Sequence, residues 1–368
     1  MEVIDLFIKL LSYESVTPND AGSLDFIQEY LNGYEVIWKN EAGVKNLFLY
    51  KRFGEGSHLC FAGHVDVVPP GEGWESNPFV PLVHDGVITA RGAQDMKSGV
   101  AAFVQALKEV ESFDGTLSIL LTSDEEGDAE YGTKIMLKHL KSINFLPDFA
   151  IVAEPTCDKV FGDAIKIGRR GSINGMIEKY GRQGHAAYPE KSTNPIHKVA
   201  QILPEIAGVN LDEGDDYFSP SQFVITDIRA GMEVTNVTPG KLKMMFNVRN
   251  STKTSKEDVE KFVHRYFNGM NYELNLNQSS KPFLTDVDTL VVECLDRAIE
   301  SICGITPQHS TAGGTSDARF LAEYGVKTVE FGVINDTIHA PNEQTTIDEV
   351  EKLYQVFKQT IINFKDEV

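Results

Sequence analysis

The sequence predicts an α/β fold in which a larger domain, with a mostly parallel twisted sheet flanked by helices, is interrupted by a smaller α+β domain. Three observations lead there. The chain has 368 residues, and at about 150 residues per domain that length suggests two. Short apolar runs alternate with helical patterns at both ends of the sequence, the pattern of a sheet with crossover helices. In the middle the order changes to β-α-β-β-α-β, the split unit of ferredoxin-like domains. The predicted boundaries are residues 1–171 and 283–368 for the larger domain and 172–282 for the insertion.

Each element has its own signal. Ile4, Phe7, Ile8 and Leu11 recur at spacings of three and four, which predicts an amphipathic helix. His58–Ala62 reads as a buried strand, followed by a helix carrying Val100, Phe103, Val104 and Leu107 on one face. Leu117–Leu121 is a strand, Lys134–Leu140 a helix and Phe149–Ala153 a strand. The inserted domain begins near Ser172 and continues through a helix with Ile196, Val199, Ala200 and Leu203. Strands Gln222–Ile228 and Lys241–Val248, a helix with Val259, Phe262, Val263 and Tyr266, and strand Tyr272–Asn277 complete it. The pattern then resumes with helices near Val287–Ile302 and Ser316–Glu323 and a strand at Lys327–Gly332. A last helix opens on the capping box Thr346-Ile347-Asp348-Glu349 and would bury Val350, Leu353, Tyr354 and Phe357.

Composition removes several classes of function. Apolar residues make up 42% and charged residues 24%, enough to build a core. The net charge of −20 and the lack of any Lys/Arg stripe argue against nucleic acid as a partner. No apolar stretch reaches the length of a spanning helix, and Met1–Asp5 shows no basic region ahead of an apolar one, so no membrane association is expected and the expected location is cytoplasmic. Cys60, Cys157, Cys294 and Cys303 are too scattered for a disulfide framework or a Cys-x-x-Cys zinc site.

Five groups of acidic residues and histidines stand out. His64-Val65-Asp66, Asp95, Asp124-Glu125-Glu126 and Glu154 each follow a predicted strand, and His339-Ala340-Pro341-Asn342-Glu343 lies far downstream. Ligands of open α/β sheets bind beyond the carboxyl ends of strands, so the five groups can converge on one crevice. Two imidazoles with several carboxylates and no thiolate suit zinc, with cobalt or manganese as substitutes. The natural arrangement has Asp95 bridging two ions, His64 and Glu154 on one, and Glu126 and His339 on the other. Asp66 lies two residues from His64 on an extended segment and is expected to accept the imidazole N–H. Glu125 neighbours a ligand, points elsewhere and is left free to activate water.

These segments resemble, in order and spacing, the dizinc amidohydrolases of the aminoacylase/carboxypeptidase metallopeptidase family, essentially end to end. The resemblance implies a catalytic domain interrupted by a lid and dimerisation domain, two Zn2+ per chain with Co2+ as a substitute, and a homodimer formed through the insertion. Further segments, Gly168–Ser172, Gly184–Pro189, Asn236–Pro239, Phe246–Arg249 and Gly313–Phe320, resemble members that remove a succinyl group. They imply hydrolysis of N-succinyl-L,L-2,6-diaminopimelate in bacterial lysine and cell-wall precursor biosynthesis. The alternative within the family is an acetyl-ornithine or aminoacylase-type deacylase, or a dipeptidase. By matching position, His185 and Asn236 would serve the reacting amide and its neighbourhood. Lys166, Arg169, Arg249, Thr315, Arg319 and Asn335 would hold substrate carboxylates. A chain this acidic needs such local positive charge to bind a small anionic substrate, and Gly313–Asp317 is expected to open a helix whose free N–H groups take a carboxylate. The residue before the bridging Asp95 is Gln94, where many members carry another residue; it lies outside the ligand set. Arg170 and His309 are left without a role.

Overall fold

Buried parallel strands are apolar nearly throughout because both faces are covered, and the two strands His58–His64 and Thr116–Thr122 are buried at every position. They form the centre of an eight-stranded sheet in the computed structural model, which describes residues 1–367. The chain divides into two compact units. The first comprises Met1–Gly168, Thr285–Ser310 and the chain from Ser316 on; the second comprises Arg169–Leu284 with Thr311–Thr315.

In the first unit the sheet runs Glu35–Trp38, Asn46–Arg52, Thr116–Thr122, His58–His64, Phe149–Val152, Lys327–Glu330, Ala164–Lys166, Gln308–Ser310. The four strands from Thr116–Thr122 to Lys327–Glu330 are mutually parallel, and the two at one margin are antiparallel. Their registers place His64 opposite Thr122 and Val152 opposite Glu330, so the carboxyl ends share one edge. Helices Val3–Leu11, Lys97–Lys108, Leu290–Cys303 and Ile347–Glu367 pack on one another. Among the described residues no helix is long and apolar enough to cross a membrane, and all four cysteines are free.

The second unit is built on a four-stranded antiparallel sheet in the order Phe223–Ala230, Lys241–Val248, Ser172–Tyr180, Tyr272–Ser280. Alternation along Lys241–Val248 buries Leu242, Met244, Phe246 and Val248, which join Ile173, Ile177, Val259, Val263 and Phe267 in one core. Gly175 lies opposite Phe246, and a Cβ there would sit 2.0 Å from the Phe246 ring. The glycine leaves room for the aromatic side chain.

Three elements differ from expectation. The first helix buries Val3, Leu6, Phe7, Leu10 and Leu11, with Ile4 and Ile8 half-buried; its apolar residues run nearly all round, so spacing alone does not choose the inward face. The helix with Ile196 is split into Pro195–Ala200 and Leu203–Ile206, because Pro204 cannot donate to the preceding turn. The helix expected from Ser316 starts at Ala318, with Asp317 as its N-cap, so Gly313–Asp317 leads directly into it. Gly313 takes φ 107°, a conformation outside any right-handed helix. The final helix carries the expected capping box, with Glu349 N–H donating to Thr346 Oγ1 and Thr346 N–H to Glu349 Oε2. Tyr354 is only half-buried there because its hydroxyl reaches Glu109.

Gly99, in the first turn of helix Lys97–Lys108, faces the end of strand Phe149–Val152. A Cβ at Gly99 would lie 2.4 Å from the Ala153 carbonyl oxygen. Gly→Ala inside a helix ordinarily gains about 1 kcal/mol. Here Gly99→Ala is expected to lose about 1–3 kcal/mol by overpacking and to displace Glu154 next to Ala153. Urea unfolding of the metal-free protein checks the sign.

Candidate metal centre

The four parallel strands end together and their following residues carry the acidic and histidine groups. His64 is the last residue of its strand, Glu125 and Glu126 follow Thr116–Thr122, and Glu154 follows Phe149–Val152. Asp95 lies just before helix Lys97–Lys108, and His339 sits in the loop between Lys327–Glu330 and Gln344–Thr346. All belong to the first unit.

The Asp95 carboxylate lies between two imidazoles. Its Oδ1 is 3.2 Å from His64 Nε2 and its Oδ2 is 3.3 Å from His339 Nε2. His339 Nε2 is 3.0 Å from Glu126 Oε1. On the other side His64 Nε2 is 3.7 Å from Glu154 Oε1 and 3.9 Å from Glu125 Oε2. Donor atoms of His64, Asp95 and Glu126 fall within 4.8 Å of one another, and so do those of His64, Glu125 and Glu154. Glu125 thus stands nearly as close to His64 as Glu154 does.

Electrostatics follow from the crowding. Burial pushes the Glu125 and Glu154 carboxyls well above the usual carboxylate range, and neighbouring carboxylates add to it. Burial alone would lower His64, yet Asp95, Glu125, Glu154 and Asp66 carry it well above its ordinary value. Hydrogen bonds to the Asp95 and Glu126 carboxylates raise His339 to about 10. Burial opposes ionisation of Asp95, but its two imidazole partners outweigh that and hold it low. The cluster demands positive charge at two places, one at each imidazole, which fits a pair of divalent cations.

Asp66 differs from expectation. His64 Nδ1 meets the backbone oxygen of Asp66 at 2.8 Å, whereas the Asp66 carboxylate is 3.7 Å away. That carboxylate instead accepts the backbone N–H groups of Glu125 and Glu126, at 3.4 and 3.1 Å. The carbonyl reaches the ring first, and the Asp66 side chain holds the Glu125–Glu126 loop.

Sequence reasoning missed the residues that brace these loops. Glu343 is fully buried and accepts from Gly92, Gln94 and Asp95 N–H groups and from the Arg91 guanidinium at 2.7 Å. Arg91, 1% exposed, also donates to Pro70 O and His339 O and stacks over Trp74. Asp317 is buried as well, and its charge helps raise Glu125. No local signal marks Arg91, an Arg in a polar loop, and Glu343 stands out only as the end of the His339–Glu343 group, with nothing to mark its bracing role.

The remaining candidates have these places. Lys166 is half-buried and donates to Ser310 Oγ. Arg319 stacks on Phe320 with its Nε buried, and the Asn335 backbone N–H donates to Cys157 O. In the second unit Arg169 is buried and donates to Ala312 O at 2.6 Å. His185 is exposed with Nδ1 accepting from Ala187 N–H; Asn236 and Arg249 are exposed, and Thr315 is half-buried. Arg170 is half-buried. Both Asp296 oxygens lie within 3.1 Å of His309 Nε2.

A sheet of this topology with this cluster at its carboxyl edge defines a metallopeptidase-type architecture, and residues 60–363 match the description of peptidase family M20/M25/M40. The chain belongs to that family. A succinyl-diaminopimelate desuccinylase from a Nitratiruptor species is 73% identical over 364 residues, 99% of this chain and 100% of that one. Among solved structures, an aminopeptidase from Bacillus cereus superposes with a TM-score of 0.81 at 21% identity over 98% of both chains. A dinuclear metal-binding M20 peptidase from Bacillus subtilis does so with 0.74 at 15% identity, over 100% of this chain and 98% of that one. These two likenesses show the shared fold.

Arg91→Met removes the charge partner of a buried carboxylate while roughly keeping its volume. The expected cost is about 3–5 kcal/mol, read as a lowered urea midpoint in metal-free protein. A loss below about 1 kcal/mol, the scale of an exposed pair, would show that the pair does not brace the loops.

Proposed function

We propose that the chain hydrolyses N-succinyl-L,L-2,6-diaminopimelate to succinate and L,L-2,6-diaminopimelate, a step of bacterial lysine and cell-wall precursor biosynthesis, in the cytoplasm. The observation that carries the chemistry is one carboxylate, Asp95, facing a separate imidazole with each oxygen, with Glu125 beside it. The succinyl substrate is supported by the name of the 73% identical relative.

His64 and Glu154 would hold one divalent ion, His339 and Glu126 the other, and Asp95 both. Zinc fits this nitrogen–oxygen donor set, with cobalt as a substitute. When bound, the ions would polarise the scissile carbonyl and make a water molecule acidic enough to lose a proton near neutral pH. Glu125 takes the proton from the attacking water and passes it to the leaving amine nitrogen. A carboxyl pushed upward by burial suits both halves of that transfer. Asp66 keeps Glu125 and Glu126 in place through their backbone N–H groups. His185 donates a hydrogen bond to the oxygen that gains charge at the carbonyl, and Asn236 serves the same neighbourhood. Lys166, Arg169, Arg249, Thr315, Arg319 and Asn335 bind substrate carboxylates.

The second unit, read as a ferredoxin-like lid and dimerisation domain, would pair two chains about a two-fold axis, and His185 would serve the partner's centre. The unit's β-α-β-β-α-β order supports the first part of that reading.

Purified protein should turn over the succinyl substrate in preference to acetyl-ornithine and dipeptides. Chelation should abolish turnover, and zinc or cobalt should restore it; full activity in metal-free protein would sink the metal assignment. Glu125→Gln should retain two ions and lose roughly 10²–10⁴-fold in kcat, whereas Glu126→Gln should lose an ion. Reversed behaviour would exchange base and ligand.

Mixing Glu125→Ala and His185→Ala chains tests the shared site. If His185 acts on the partner, a mixed dimer has one site with both lesions and one with neither. Random pairing then restores roughly a quarter of the sites under two-fold symmetry. Activity at the level of the parent variants, with exchange verified by mass, would assign His185 to its own chain.

A further inference from the structure

His339 is the least enclosed of the proposed ligands, with 48% of its side chain exposed. Neither helix nor strand carries it, and its backbone takes the left-handed φ of 60°, which costs a non-glycine residue energy and needs outside support. The support comes in part from Gln94. Gln94 is 2% exposed and immediately precedes Asp95. Its Nε2 donates to Asp336 Oδ1 at 2.6 Å and its Oε1 accepts the Thr337 backbone N–H at 2.9 Å. Its own backbone N–H donates to the buried Glu343 at 2.8 Å, so the side chain starts from a fixed point.

Other contacts also hold the loop, among them Glu343 with the Gln94 and Asp95 N–H groups and Asn342 with Glu75 N–H. Arg91 donates to His339 O at 3.3 Å, and Thr337 Oγ1 pairs with the Gln344 backbone in both directions. Gln94 is the support that reaches Asp336 and the Thr337 N–H from the residue adjoining the bridging carboxylate. The Thr337 N–H needs an acceptor and the Asp336 carboxylate needs a donor, and a glutamine amide of this length offers both. Glutamate would supply two acceptors and face Asp336 with like charge; methionine would supply neither.

We infer that Gln94 is a positioning residue for the His339 half of the metal centre: its amide clamps Asp336 and Thr337 and so sets where His339 Nε2 stands relative to Asp95 and Glu126. This inference rests on the dinuclear reading above. Outer partners of metal ligands typically tune affinity by about 10–100-fold, and here the effect falls on one ion of the two. The His64–Glu154 half has no contact with Asp336 or Thr337 among those described.

The test is zinc binding by metal-free protein, measured by calorimetry with chelator competition, for wild type, Gln94→Met, Gln94→Glu and Gln94→Glu/Asp336→Asn. Wild type should bind two ions. In Gln94→Met and Gln94→Glu the weaker of the two should lose about 10–100-fold in affinity while the tighter stays close to wild type. The unfolding midpoint of metal-free Gln94→Met should change little. The double variant exchanges donor and acceptor across the Gln94–Asp336 contact and should recover most of the lost affinity. Two ions bound with unchanged affinity in Gln94→Met, equal weakening of both, or a double variant no better than Gln94→Glu would overturn the inference. A wild type that holds fewer than two ions would overturn the dinuclear reading and this inference with it.

Discussion

Repulsion between carboxylates is the constraint around which the first unit is organised. Asp66, Asp95, Glu125, Glu126 and Glu154 are drawn together around two imidazoles, in a chain whose net charge is already −20. Left to themselves these groups would separate and rehydrate, because burying unpaired charge is costly. Four strands in parallel register hold their roots in place. Backbone N–H groups and one buried guanidinium hold much of what the strands do not. The proton affinities record the same pressure, with both imidazoles driven upward by the acids that face them.

The two halves of the cluster are held by different means. His64 and Glu154 grow directly out of neighbouring parallel strands, so the hydrogen-bond ladder fixes their spacing to within the stiffness of the sheet. Glu126 and His339 sit on loops. Their positions depend on side chains that reach across: Asp66 under one loop, Arg91, Glu343 and Gln94 around the other. Rigidity therefore falls from one half to the other.

Much of this is legible in the residue pattern. The parallel strands announce themselves by near-continuous apolar runs, and the acid and histidine groups by falling where those runs stop. The capping box at Thr346–Glu349 forms as its spacing requires. What the pattern hides is decided by local competition and by contacts distant in sequence. Spacing points the Asp66 carboxylate at the imidazole, yet the carbonyl of that same residue outcompetes it. Gln94 looks idle because its partners lie more than two hundred residues away. The apolar spacing from Ile196 to Leu203 suggests one helix, although Pro204 divides it. Gly313–Asp317 leads into a helix as its pattern suggests, but the first helical residue is Ala318 and not Ser316.

The place of strand Lys327–Glu330 has a consequence for how the chain comes into being on the ribosome. It pairs with Phe149–Val152 on one side and touches Lys166 on the other, so a central slat of the sheet is made after most of the polypeptide has emerged. Until then Phe149–Val152 offers a bare, apolar edge, the kind that invites pairing with other chains. The contiguous segment Arg169–Leu284 is translated in that interval and can assemble its own core from within. The insertion is thus synthesised before its host is complete, and His339 arrives only after the last strand of the parallel set.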